Sequence, residues 1–376
     1  MKIFFPLGAF YPSQIGGPCN TLYWHCCALK ENKVKPTVVT TTIGINDKVN
    51  FNEWLQLDCG NVFYGIKGVS ALKTRKRLSR EITKADVLHL NSLFSPFSIY
   101  SFLYRSVFHP KKNIIWSVRG ELNENALKFS SWKKKPLLSL YKLLNKNVVY
   151  HGTSPQETIG IKKMFPKNKT VEVPNFIAPS KRLTTTKSKN LLYVGRIHPI
   201  KSLDKIIKAL ALSKTFLESN SKFFIVGKQE KRHNTYKEEL VSLINKLNLQ
   251  YKIVFKGHLE GIEKEKIYAE SYALILASET ENFGNVVVES LNQGTPVIAS
   301  KGTPWQILED YNAGLHVLND PVFLSKAIDS LLLLDKDKYQ QMCTNSYKLI
   351  DEKFNVDSQI NKWIDIYKSL LNENRK

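Results

Sequence analysis

The chain has 376 residues, of which 43% are hydrophobic and 23% charged, and its formal net charge is +22. Such a length exceeds one ordinary core and predicts two domains of ~150–200 residues, while the composition excludes a disordered or fibrous chain. No run of ~18 apolar residues offers a membrane-spanning helix. Five scattered cysteines without a CxxC pair point to reduced thiols in a cytosolic protein, not to a disulfide framework or a zinc site.

In chain order, short apolar runs alternate with amphipathic stretches. Ile3–Leu7, Thr37–Thr41, Val87–Leu90, Ile114–Val118 and Val148–His151 read as strands of a first domain. The first of these is too short, and broken too soon by Tyr11-Pro12-Ser13-Gln14, to be a signal peptide. Leu191–Val194, Phe223–Val226, Ile253–Phe255, Ala273–Leu276 and Pro296–Ala299 read as strands of a second. Strands alternating with helical patterns predict parallel α/β sheets. The break falls near Pro174-Asn175, with the polar stretch 178–190 as linker. Leu203–Leu217 and Lys237–Leu249 carry core-facing helical stripes, and Val356–Leu371 reads as a final helix.

Ligands of open α/β sheets bind beyond the carboxyl ends of the strands, so the loops there are the places for chemistry. Gly16-Gly17 follows the first strand, where paired glycines let backbone approach a ligand; a bland turn is the competing reading. His89 and Asn91 end another strand, and a satisfied structural role is the stronger reading for His89. Gly195-Arg196 through Lys201-Ser202 sets a guanidinium and an ammonium near a helix start, suited to a diphosphate, with two solvated cations as the alternative. The most informative stretch is Ser278 to Ser290. It leaves a buried strand, passes Glu281 and Phe283-Gly284, and enters a helix that carries Glu289. Free N–H groups and the helix dipole make such a start a phosphate seat. Two ordinary glutamates, one assisting the helix start, are the plainer alternative.

Taken together, Gly16-Gly17, Gly195-Arg196 with Lys201-Ser202, Glu281-x7-Glu289 with Phe283-Gly284, Gln293 to Ser300 and Thr303-Pro304-Trp305 resemble glycosyltransferase family 4. These are the retaining group 1 enzymes of surface polysaccharide assembly. The resemblance implies an α/β GT-B fold, two Rossmann-like parallel-sheet domains facing across a cleft. It implies an acceptor-binding domain over 1–176, a donor-binding domain over 177–355 and a helix over 356–376 returning towards the N-terminal domain.

It also implies roles. Arg196 and Lys201 neutralise the leaving diphosphate, and Glu281 holds the donor sugar. Backbone from Phe283 and Gly284 through Asn285 and Val286 touches sugar and phosphate, and Glu289 takes the ribose. Gly257-His258-Leu259 lines the base, and Gly16 and Gly17 approach the phosphates. Where many members place a histidine, this chain has Trp116 to Glu121, which assigns sugar or acceptor contacts to Arg119 or Glu121. No metal or other cofactor is expected.

The charge is uneven. Residues 1–180 carry 26 Lys/Arg against 10 Asp/Glu, residues 181–376 carry 29 against 23. The segment Lys67–Lys84 and Lys133-Lys134-Lys135, with aromatics over Leu93–Phe108 between them, point to a partner with negative charge, with a solvated charged face and a core helix as the competing reading. A cytoplasmic protein lying on the anionic inner face of the membrane and meeting a lipid-diphosphate-linked glycan fits best. No nucleic-acid module is present. Asp335-Lys336-Asp337 imitates a metal-binding DxD but sits in a helical stretch, and reads as solvated surface. A soluble acceptor, and a polyanion-binding protein on a degenerate scaffold, are the alternatives.

Overall fold

The computed structural model describes residues 1–13, 17–45, 50–66, 68–123, 127, 131–176, 180–229 and 234–373. The chain divides into two compact units, Met1–Ala178 with Val356–Lys376, and Pro179–Asn355.

The N-terminal unit is built on an eight-stranded sheet of order β3-β4-β2-β1-β5-β6-β7-β8. Its strands are β1 Lys2–Pro6, β2 Lys35–Thr41, β3 Trp54–Leu57, β4 Gly60–Gly65, β5 Val87–Asn91, β6 Ile114–Ser117, β7 Val148–Gly152 and β8 Thr170–Glu172. Strands β5, β6 and β7 are buried at every position. Burial on both faces is why they read as continuous apolar runs. The sheet is not wholly parallel, because β3 pairs antiparallel to β4. The sequence reading missed this hairpin and β8, since β3 and β8 are short edge strands only partly buried.

Helices cover both faces. On one, α1 Gly17–Glu31 and the C-terminal helix pack with Phe5, Val38 and Ile115 in one core. On the other, α2 Leu72–Lys84, α3 Pro96–Phe108 and α4 Ser131–Leu144 pack over Phe4, Leu88 and Trp116, joined by α5 Pro155–Met164.

The C-terminal unit holds a six-stranded parallel sheet of order β11-β10-β9-β12-β13-β14. Its strands are β9 Leu191–Val194, β10 Phe223–Val226, β11 Ile253–Gly257, β12 Ala273–Leu276, β13 Val297–Ser300 and β14 Gly314–Val317. The order runs outward from β9 in one direction to β11, then reverses to β12. The switch point therefore lies between β9 and β12, where an open sheet leaves a crevice for ligands.

The helical stripe expected over Leu203–Leu217 is two helices, α6 Leu203–Leu212 and α7 Lys214–Glu218. Ser213 ends the first and caps the second, its Oγ accepting from the amide of Phe216 at 3.1 Å. Such a cap stabilises a helix start by ~1 kcal/mol. The unit continues through α8 Asn234–Lys246, α9 Gly261–Glu270, α10 Asn285–Asn292, α11 Ile307–Asp310, α12 Pro321–Leu332 and α13 Lys336–Lys353. Asp335 of the DxD-like triplet is the N-cap of α13, its side chain accepting from the Lys338 amide at 2.8 Å.

One expectation about connections needs revision. The stretch expected as a linker is fastened to the C-terminal unit. Leu183 donates its amide to Gln293 Oε1 at 3.0 Å, and Ser188 its amide to the Glu270 carbonyl at 2.9 Å. Lys187 donates to the Ala269 carbonyl and Thr295 Oγ1, and burial lowers its pKa to about 8. The final helix, α14 Val356–Glu373, buries Ile360, Trp363, Tyr367 and Leu370 in the core of the N-terminal unit.

Candidate functional site

The loop after β9 is an extended Gly195–His198 segment followed by a 3-10 turn, Pro199–Lys201. His198 caps that turn, its Nδ1 accepting from the Ile200 amide at 3.0 Å. Ser202 then takes a left-handed conformation at φ +50, redirecting the chain into α6. Lys201 thereby points to the loop after β12 and forms an ion pair with Glu281. Both side chains are largely buried, 14% and 17% exposed, so water screens the pair less than it would on an open surface. Arg196 lies outward on the same loop, and its carbonyl accepts from the buried Tyr193 hydroxyl at 2.7 Å.

Backbone contacts hold the site loops in register. Glu279 donates its amide to the Ile200 carbonyl at 2.9 Å, and Glu281 donates to Gly302 at 3.1 Å. Ser300 Oγ donates to the Ser278 carbonyl at 2.6 Å. Gly302 is required by this closeness, since a Cβ there would lie 2.4 Å from the Glu279 carbonyl oxygen. Glu279 itself accepts from Lys205 at 2.6 Å and Ser202 Oγ at 3.0 Å. Burial alone would raise its carboxyl pKa; the hydrogen bonds from Lys205 and Ser202 outweigh that and hold it below its ordinary value.

Gly284 is the N-cap of α10 at φ +82. It lets the chain turn from Phe283 into the helix, which Asn285 and Val286 open. Phe283 is buried against Trp305 and Phe354, and the Trp305 indole donates to its carbonyl. This aromatic clamp gives the Thr303-Pro304-Trp305 motif a structural role. Glu289 sits one turn into α10, held by Lys264 at 2.7 Å and the Tyr268 hydroxyl at 2.9 Å. Glu281 and Glu289 thus have separate partners and do not form a carboxylate couple. Gly257 ends β11 at φ +75, and the His258 ring that follows pairs with Glu260 at 2.5 Å beside the partly buried Leu259.

Sequence reasoning missed Gly227, at the end of β10. Its would-be Cβ falls 1.7 Å from the Gly195 carbonyl oxygen, so the ends of β9 and β10 touch backbone to backbone. The repeated Val-Gly-basic triplets, Val194-Gly195-Arg196 and Val226-Gly227-Lys228, were the available signal. It also missed Lys264, Tyr268 and Glu279, which position the singled-out glutamates and the Lys201 loop.

In the N-terminal unit, Gly16 lies outside the described residues, and Gly17 opens α1. Arg119 follows β6 at φ +60 and donates to Asn91 Oδ1 and Asn175 Oδ1, both at 2.9 Å, with burial lowering its pKa. Glu121 accepts from Ser92 Oγ at 2.6 Å and from the Leu93 and Phe94 amides, so it ties the β5–α3 turn. Burial raises its carboxyl pKa.

Beneath Arg119 runs a buried polar chain. His151 Nε2 faces the Val173 carbonyl at 2.8 Å and must donate, leaving Nδ1 to accept from Ser117 Oγ at 2.7 Å. Ser117 then accepts from His89 Nε2 at 2.8 Å, and His89 Nδ1 accepts from the Tyr367 hydroxyl at 2.6 Å. His89 is therefore a satisfied structural residue.

Residues 176–349 match the family described as glycosyl transferases group 1. The matched span holds all the C-terminal loops just described, so this unit carries the group 1 glycosyltransferase pattern. Among relatives, the chain is 28% identical over 182 residues to an uncharacterized glycosyltransferase of Methanocaldococcus jannaschii, covering 48% of this chain and 45% of that protein. It is 23% identical over 303 residues to an uncharacterized 41.2 kDa protein in the cps region of Klebsiella pneumoniae, covering 76% and 79%. Sucrose-phosphate synthase from Thermosynechococcus elongatus superposes with a TM-score of 0.78 at 17% identity over 99% of this chain and 100% of that one. Anabaena HepE in complex with UDP and glucose superposes at 0.77 and 16%, over 98% and 100%. These likenesses show the fold, which is GT-B.

Proposed function

We propose that the chain is a retaining, metal-independent glycosyltransferase that moves a sugar from a nucleoside diphosphate sugar to a glycan acceptor. The observation that carries the reading is the Lys201–Glu281 pair at the switch point of the C-terminal sheet, beside the glycine-capped start of α10. In the reaction the bond from the sugar's anomeric carbon to the diphosphate breaks and one to the acceptor oxygen forms. Positive charge builds on the sugar and negative charge on the departing diphosphate. Lys201, Arg196 and the amides at the α10 start stabilise that negative charge most once it has developed, which lowers the barrier. Glu281 grips the sugar hydroxyls and Glu289 the ribose, while the leaving phosphate takes the acceptor's proton.

The acceptor is a glycan on a lipid diphosphate, met by the N-terminal unit at the cytoplasmic face of the membrane during capsule, O-antigen or related polysaccharide assembly. The Klebsiella relative's place in a cps region and the basic N-terminal half support that context.

The test is thermal stability with a panel of nucleoside diphosphates and their sugars in a chelating buffer. A nucleoside diphosphate should raise the melting temperature without added metal. A chain that binds none of them would instead be a polyanion-binding protein on this scaffold.

A further inference from the structure

Helices α2, α3 and α4 lie side by side and run the same way over one face of the N-terminal sheet. Ser79 Oγ meets the Tyr100 hydroxyl at 2.9 Å and Thr83 Oγ1 the His109 ring at 3.0 Å. Phe102 packs edge-on against Tyr141 at 5.2 Å, and Lys134 lies 5.0 Å over Phe94. Their inner sides share one core containing Leu78, Phe102 and Tyr141.

The outer side has one sign of charge. The three helices carry eleven Lys/Arg and a single acid, Glu81. That carboxylate is buried and paired with Lys2 at 2.6 Å, so it does not offset the surface. On α2, Lys73, Arg75, Lys76, Arg80 and Lys84 are exposed; on α4, Lys133, Lys135 and Lys142 are. An ordinary solvated face mixes signs, as α9 does with Glu263, Lys264, Glu265, Lys266 and Glu270.

Large apolar side chains stand among these cations. Trp132 is 74% exposed and Leu143 79%, with Leu72, Val107 and Phe108 also exposed. Lys133 lies 4.9 Å over the Trp132 ring. Water-exposed tryptophan and aliphatic groups in a basic field match the interface of an anionic bilayer, where the rings and chains leave water and the cations meet headgroups. Nucleic acid suits the cations and aromatic rings but gains nothing from exposed Leu72, Val107 and Leu143, which cannot stack on bases as aromatic rings do.

We infer that the α2–α3–α4 face is the surface by which this protein seats on an anionic phospholipid bilayer, with Trp132, Phe108 and Leu143 as its apolar anchors. The assignment rests on the membrane setting proposed above and identifies the residues that make the contact.

Flotation with vesicles of equal phosphatidylglycerol and phosphatidylcholine, against phosphatidylcholine alone, tests it. The chain should float with the anionic vesicles only, and less as salt rises. Each cation contributes about fivefold, so combining Lys133→Gln, Lys134→Gln and Lys135→Gln should weaken binding on the order of 100-fold. Trp132→Ser with Leu143→Ser should weaken it further at salt that screens the charges. Both variants should keep the wild-type nucleoside diphosphate thermal shift, which separates failure of this surface from failure of the transferase reading. Unchanged flotation of both variants would overturn the assignment. So would an apolar variant that binds vesicles like wild type while an RNA oligonucleotide displaces them.

Discussion

Lys201 and Glu281, eighty residues apart, form an ion pair between the loops that follow β9 and β12. Neither residue lies in an α-helix or a strand, yet the adjacent strands and the Glu279–Ile200 backbone bond bring the two loops together. Lys201→Ala and Glu281→Ala should each lower turnover by on the order of 100-fold or more. Circular dichroism should show both variants folded. Turnover surviving both substitutions would remove these residues from the reaction.

Tyr268 and Lys264 hold Glu289 from α9. Tyr268→Phe deletes one hydrogen bond to a charged group, worth ~1.5–3 kcal/mol. The donor KM should rise roughly tenfold or more with kcat little changed, because Glu289 is proposed to grip the ribose, away from the reacting carbon. A fall in kcat at constant KM would place Glu289 in the chemical step.

Glycine substitutions should divide sharply. Gly227→Ala would drive a Cβ into the Gly195 carbonyl, at φ +150, and should cost at least ~3 kcal/mol. Gly257→Ala meets nothing within 4 Å and incurs only the backbone strain of φ +75, ~1–2 kcal/mol. Melting temperatures of the two variants compare them directly.

The buried histidines make the N-terminal unit acid-sensitive. Burial, with further lowering by Arg119, depresses His25, His89 and His151, the last to about 3. A histidine near 6.5 when unfolded takes up protons below that pH, whereas the folded unit keeps these rings neutral. Their stabilising contribution is complete above pH 6.5 and declines as pH falls. Three such groups give a slope of about 2 kcal/mol per pH unit at 6.5, approaching about 4 a unit or more below it. Urea midpoints at pH 7.5, 6.5 and 5.5 should fall slightly over the first step and about three times as far over the second. In a His89→Gln variant the second drop should shrink.

Much of the core was legible because parallel strands buried on both faces must be continuously apolar. Leu191–Val194, Phe223–Val226 and Ala273–Leu276 have in the structure the limits their residues imply. Strand β3 and the break at Ser213 were not, since an edge strand needs only one apolar side and a mid-stripe serine reads equally as helix or cap. The Val356–Leu371 helix was visible by its period, but no local pattern states that its Tyr367 completes a hydrogen-bonded chain with His89 and His151.

The glutamates of the Ser278–Ser290 loop show the same division. Residue type and spacing alone determined that Glu281 precedes a glycine-started helix and that Glu289 lies within it, because strand, turn and helix signals act over a few residues. Only the tertiary structure decided their partners: Lys201 for Glu281, Lys264 and Tyr268 for Glu289. Those partners come from the loop after β9 and from α9, and contact between them depends on strand order, which the distribution of apolar residues along one chain does not encode.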